Sequence, residues 1–247
     1  QALKIMAKIK MKSPAAAQPA LTFEQLYERF LIDRTAQGLA EKTLQSYRTH
    51  LKSIAKHLDI TLPFGKLTQD DIDNMVVSMR RSGLAPSSIE SYLRVLNTFF
   101  RWSARTDLKI PKYKAPEVVK ETYTDEELRL LLARPSAGCS FVEYRSWVIV
   151  NFLLNSGCRA GTLRAIQNRD VDLEHKQVIS RHNKNNRIQS IPLCSQMVII
   201  LREYQKIRGG GARDSLFCDA YGGPLSENAL RLAMERYNKS RGVESTG

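Results

Sequence analysis

Apolar residues recur at helical spacing in four successive blocks ahead of Lys109-Ile110-Pro111-Lys112-Tyr113-Lys114-Ala115-Pro116, and the pattern changes behind it. Such a break excludes a single uniform bundle or a single sheet. Phe23, Leu26, Tyr27, Phe30 and Leu31 share one face behind Thr22, which is placed to cap the helix start. Leu44, Tyr47, Leu51, Ile54 and Leu58 share a second face over 41–58. Thr68-Gln69-Asp70-Asp71 opens a third helix over 68–81. Pro86-Ser87-Ser88 opens a fourth, running to about residue 104, with Ile89, Leu93, Leu96, Phe99 and Phe100 inside. Four helices within 21–104 predict a compact all-α domain.

Behind the break, Thr124-Asp125-Glu126-Glu127 is a helix start, and a long apolar helix follows at 142–154. The period then shortens to that of strands at 171–173, 177–180 and 187–191, with Pro192 ending the last. Helical spacing returns at 195–207. Leu216-Phe217 is a short extended piece, Gly222-Gly223-Pro224 a turn, and Ser226 caps a helix to about residue 237. The expected architecture is mainly α: a four-helix domain, then an α+β domain with a small three-stranded antiparallel sheet. The expected divisions are 1–20, a basic leader and small-residue linker; 21–104, the first domain; 105–122, a Pro/Lys linker; and 123–247, the second domain.

Charge narrows the choice of partner. The chain carries a net charge of +13, and the four divisions contribute +4, +2, +2 and +5 in order. The excess is therefore spread over both domains, as suits a protein that grips a long polyanion with two of them. No apolar run approaches the roughly 20 residues that cross a bilayer. Lys interrupts residues 1–12 too often for a signal-peptide core. Cys139, Cys158, Cys194 and Cys218 stand alone, so neither a disulfide framework nor a zinc knuckle is expected. A reducing, intracellular location fits these features. No Asp/Glu or His/Cys cluster calls for a metal, and 208–213 lacks the Gly-Lys-Ser/Thr ending of a nucleotide-binding loop, so no cofactor is expected.

Two residues stand out as candidates for phosphate chemistry, although taken singly an Arg after a Gly is more often structural and a Lys at a hairpin tip more often simply solvated. Arg159 follows Gly157-Cys158 at the expected end of one helix and start of the next, where its planar fork can face a phosphate. Lys184 lies at the tip of the hairpin running through 179–193, flanked by His182 and Arg187. His50, His57 and His175 have no ligand-like spacing and read as structural.

Taken together, these residues resemble the tyrosine recombinase, or phage-type integrase, family from about Leu21 onward. In the first domain the likeness rests on Glu41-Lys42-Thr43-Leu44-Gln45-Ser46-Tyr47, on Ser87-Ser88-Ile89-Glu90-Ser91-Tyr92-Leu93-Arg94, and on Phe99-Phe100-Arg101-Trp102-Ser103. These look like helices of the family's SAM-like core-binding domain. In the second, Gly157-Cys158-Arg159 looks like the first catalytic-arginine box, and Lys184 falls where the family carries its hairpin lysine. Leu216-Phe217 and Gly223-Pro224-Leu225-Ser226 continue the match. The family often has an acidic residue where Thr162 stands, a change read here as compatible with activity. The sequence also stops before any His-x-x-Arg box or nucleophilic Tyr in the family's context; Tyr221 and Tyr237 precede that region. The expectation is a recombinase whose catalytic domain is incomplete in these residues, and which as given is inactive.

The resemblance implies transesterification at a DNA phosphodiester through a 3′-phosphotyrosyl link, without metal or ATP. Arg159 would hold the non-bridging oxygens, and Lys184 would protonate the leaving 5′-oxygen. Lys42, Thr43, Arg48, Ser87, Ser88, Arg94, Arg101, His182 and Arg187 are the expected contacts to double-stranded DNA. The protein would form a homo-tetramer on synapsed DNA and be a monomer off it. The alternative is a non-catalytic DNA-binding protein or regulator on the same fold.

Overall fold

The computed structural model describes residues 20–116, 122–181 and 188–244. The chain divides into two compact units, 1–118 and 119–247. Among the described residues the architecture is mainly helical with one three-stranded antiparallel sheet, as the sequence leads one to expect.

The first unit is built from α1 (Phe23–Ala36), α2 (Glu41–Ile54), α3 (Gln69–Arg81) and α4 (Pro86–Trp102). Thr22 and Thr68 cap α1 and α3 through reciprocal bonds with Gln25 and Asp71, which satisfy backbone donors that the first turn cannot. The apolar stripes of all four helices meet in one core dominated by rings. Phe99 is fully buried, with the rings of Phe23, Tyr27, Phe30 and Phe64 at 5.0–5.5 Å. α2 stops at Ile54, short of residue 58, because the chain tightens: the His57 amide bonds back to the Ile54 carbonyl at 2.8 Å. α4 stops at Trp102, and Ala104 turns left-handed at φ 58°. Residues 105–116, read from composition as part of a linker, lie against this unit, with Leu108, Ile110 and Tyr113 packed on its core.

The second unit holds α5 (Asp125–Leu132), α6 (Phe141–Ser156), α7 (Ala160–Ala165), α8 (Ser195–Arg208) and α9 (Glu227–Ser240). Its sheet has β1 (Val171–Asp172), β2 (Gln177–Ser180) and β3 (Gln189–Pro192), in that spatial order. Thr124, Ser140 and Ser226 cap α5, α6 and α9. In the β2–β3 register Val178 faces Ile191, both inward, while Ser180 pairs with Gln189 at the hairpin base. Pro192 ends the strand as its last paired residue, opposite Gln177, one position later than residue 191. A proline is tolerated there because β3 is an edge strand in the described sheet. Leu216 and Phe217 are fully buried in a bend between two isolated bridges, Gln167 with Ser215 and Cys218 with Pro224, rather than in a strand. No described helix is long and apolar enough to cross a membrane.

Candidate functional site

α6 ends because Gly157 takes the left-handed conformation, φ 59° and ψ 15°, and donates its amide to the Leu153 carbonyl at 2.8 Å. The chain then reverses into an extended residue, Arg159, whose carbonyl accepts the Leu163 amide at 3.0 Å and so starts α7. The backbone of Arg159 is thus held from both sides while its side chain is exposed, with no ion-pair partner among the described residues. Its neighbours are committed. The Cys158 thiol is half-buried, and burial pushes its pKa up, which keeps it neutral. Thr162 is buried and engaged, so the position where an acid is common in the resembling family faces inward. Arg164 is spent on structure: its Nε donates to the Leu225 carbonyl at 2.7 Å.

Lys184, His182 and Arg187 lie outside the described residues. The base of their hairpin is described. Asp170, almost wholly buried, accepts the Gln167 amide at 2.9 Å and Arg181 Nε at 2.8 Å. That ion pair ties the turn that follows α7 to the end of β2. Arg159 and the end of β2 are therefore joined through one short stretch of backbone and one buried carboxylate.

In the first unit, Lys42 and Thr43 sit in the first turn of α2, and Ser87 and Ser88 in the first turn of α4. Arg48 is bound to Glu41 at 3.1 Å and Arg94 to Glu90 at 3.1 Å, so both must trade a partner to reach any ligand. Arg101 is exposed and has no ion-pair partner among the described residues. The structural reading of the histidines fits their contacts. His57 shares a hydrogen bond with Ser78 at 2.9 Å, His175 with Asp172 at 2.8 Å, and the half-buried His50 packs edge-on against Tyr92.

Sequence reasoning missed the polar interior of the second unit. Arg145 lies on α6 with only 3% of its surface exposed; its Nη1 donates to the Cys218 carbonyl at 2.7 Å, and burial lowers its pKa. It borders a cavity of about 560 Å³ between α6 and α9, shared with Glu143, Leu225, Tyr237 and Arg241. A charge inside the run from Tyr144 to Ile149 was the signal that could have revealed it. Tyr237 is likewise spent: its hydroxyl donates to the Leu131 carbonyl at 2.9 Å, and burial raises its pKa. Tyr221, at a turn, is 98% exposed. Among the described residues no group of His, Cys, Asp or Glu could hold a metal ion.

Residues 121–246 match the Phage integrase family, and residues 25–107 match its N-terminal SAM-like domain. Tyrosine recombinase XerC of Xanthomonas campestris pv. campestris (strain B100) is 24% identical over 214 residues, covering 81% of this chain and 64% of that protein. XerC of Roseiflexus castenholzii is 25% identical over 244 residues, covering 89% of this chain and 74% of the relative. The chain thus spans just under two thirds of the length of the Xanthomonas protein. Among solved structures, a lambda integrase tetramer bound to a Holliday junction superposes with a TM-score of 0.74 at 18% identity, covering 93% of this chain and 66% of that one. The Tn1549 transposon integrase in complex with circular intermediate DNA gives 0.71 at 19% identity, covering 89% and 80%. At these identities the likeness is one of fold.

Proposed function

Because the chain belongs to the phage integrase family, we propose that it is the DNA-gripping and partial catalytic portion of a site-specific recombinase. The observation that carries this reading is Arg159: its backbone is fixed between α6 and α7, while its guanidinium is exposed and unspent. A phosphoryl-transfer centre needs a fixed cation at the non-bridging oxygens, in place before charge develops.

In this reading a Tyr hydroxyl attacks phosphorus, the P–O5′ bond breaks, and a 3′-phosphotyrosyl link forms with release of a 5′-hydroxyl. Lys184 gives its proton to that leaving oxygen. A 5′-hydroxyl from the partner strand then attacks the phosphotyrosine and frees the Tyr. The 247 residues contain no His-x-x-Arg sequence; in this reading that box and the nucleophilic Tyr come from outside them, and these residues alone would not cleave DNA. Lys42, Thr43, Ser87, Ser88 and Arg101 would meet the duplex from the first unit. Arg48 and Arg94 would join them on exchanging Glu41 and Glu90 for phosphate, and His182 and Arg187 would add contacts beside Lys184. The lambda protein assembles as a tetramer on a junction. By analogy this one would form a tetramer on synapsed DNA, be a monomer off it, and act in the cytoplasm on the nucleoid.

The test uses the complete protein with a nicked suicide duplex bearing its attachment site. Arg159→Ala should abolish the covalent protein–DNA complex, and Lys184→Ala should slow cleavage at least about 100-fold with binding retained. Wild-type levels of covalent complex in Arg159→Ala would overturn the assignment. Binding without any covalent complex in the unmodified protein would instead favour a non-catalytic DNA-binding protein.

A further inference from the structure

Residues 105–116 are fastened to the first unit from three of its elements. The Arg105 guanidinium donates to the Phe64 and Leu67 carbonyls and to Asp107, and lies 5.3 Å from the centre of the Phe64 ring. The Gln69 side chain, at the start of α3, pairs with Lys109 in both directions. Its Nε2 donates to the Lys109 carbonyl at 2.9 Å, and its Oε1 accepts the Lys109 amide at 2.8 Å. Glu90, on α4, accepts the Ala115 amide at 3.3 Å. Leu108, Ile110 and Tyr113 add apolar contact between these ties. At the other end, Tyr123 is packed on the core of the second unit, and its hydroxyl accepts from Asn238 at 2.8 Å.

We infer that residues 105–116 are a strap belonging to the first unit, and that Arg105, Gln69 and Glu90 are positioning residues that set how strongly the two units act together on one nucleic acid duplex. This rests on the DNA reading above. With the strap in place the connection between the ties is the seven residues 116–122; with the strap undone it is the eighteen residues 105–122. The effective concentration of one tethered binding unit near the other falls roughly as the −3/2 power of connection length, so release lowers joint affinity about fourfold. The device acts through chain length and needs no contact with DNA by the three anchoring side chains.

Hydrogen exchange and DNA binding test it on the 247-residue chain. Amides of 105–116, Lys109 and Ala115 above all, should exchange at least about tenfold more slowly than an unstructured peptide. Arg105→Ala and Gln69→Ala combined with Ala115→Pro, which removes the amide that Glu90 accepts, should remove that protection while α1–α4 keep theirs. On a 30-base-pair mixed-sequence duplex at low salt, that variant should bind about fourfold more weakly. Because it removes three anchors of a folded unit, a second variant keeps the strap and inserts eleven Gly/Ser residues after Pro116; it should show the same loss. Unprotected exchange at 105–116 in the wild type, or an insertion that leaves affinity unchanged, would overturn the inference while leaving the DNA reading intact. Failure of the wild-type chain to bind the duplex would overturn the DNA reading and this role with it, even with the strap protected.

Discussion

The two units reach stability by different routes. The first has a core of interleaved rings and aliphatic side chains, and all five of the buried polar or charged residues described, Arg145, Ser146, Thr162, Asp170 and Ser180, lie in the second. The long-range ties also concentrate in the second unit. Arg145 reaches Cys218, Tyr237 reaches Leu131, and Asn238 reaches Tyr123. A ring cluster tolerates small changes of angle, since its attraction is spread over many contacts. A buried guanidinium on one carbonyl does not, because an unpaired buried donor or acceptor carries its whole desolvation cost. The unit that would hold Arg159 and Lys184 is therefore the one whose geometry is pinned by directional bonds.

The largest expected effect lies in the first unit. Phe99→Ala empties the meeting point of five rings and should cost about 3–5 kcal/mol in urea unfolding followed by far-UV circular dichroism. A loss below about 1 kcal/mol would show that the ring cluster is not the core's keystone. Next comes the second unit's interior. Arg145→Met keeps the bulk of the side chain but removes the charged donor to Cys218, and should cost about 1.5–3 kcal/mol. Hydrogen exchange should place that loss in α6 and the 216–219 bend, with α1–α4 unchanged; protection lost in α1–α4 would break the contrast. Thr124→Ala removes the cap of α5 and should cost about 1 kcal/mol.

The smallest effect concerns pH. Burial holds the His50 pKa below its ordinary 6.5, so near that pH the unfolded chain binds more protons than the folded one, and stability rises with pH. The first unit should therefore weaken as pH falls from about 6.5 through the lowered folded value, then level off as far as this group is concerned. His50→Gln should flatten that part of the profile. An unchanged slope in the variant would assign it to another group.

How far these features were legible follows the range of the interactions behind them. The caps at Thr22, Thr68, Thr124 and Ser226 could be read because each partner lies three residues away. The apolar faces of α1–α4 could be read because helical spacing alone brings Phe23, Tyr27 and Phe30 onto one stripe. The apolar stripe runs four residues past the end of α2, because Leu58 continues it even though the backbone has left the helix. The strap is not legible in the sequence because its composition, two prolines and three lysines in 109–116, is that of a linker, while its anchors Phe64, Gln69 and Glu90 lie well back in the chain. The Arg159 turn was legible from Gly157-Cys158-Arg159; the burial of Arg145, Asp170 and Tyr237 was not.

By itself the sequence determined what local physics decides: where helices start, which faces are apolar, where the period changes from helix to strand, and that both halves carry excess positive charge. Only the tertiary structure decided which polar groups became structural. It turned Arg145 and Arg164 inward onto carbonyls, tied Arg181 to Asp170, and left Arg159 without an ion-pair partner among the described residues. The reason is that a hydrogen bond between residues 11, 61 or 73 positions apart leaves no periodic trace in the chain. It exists only once packing has brought the two groups out of water together.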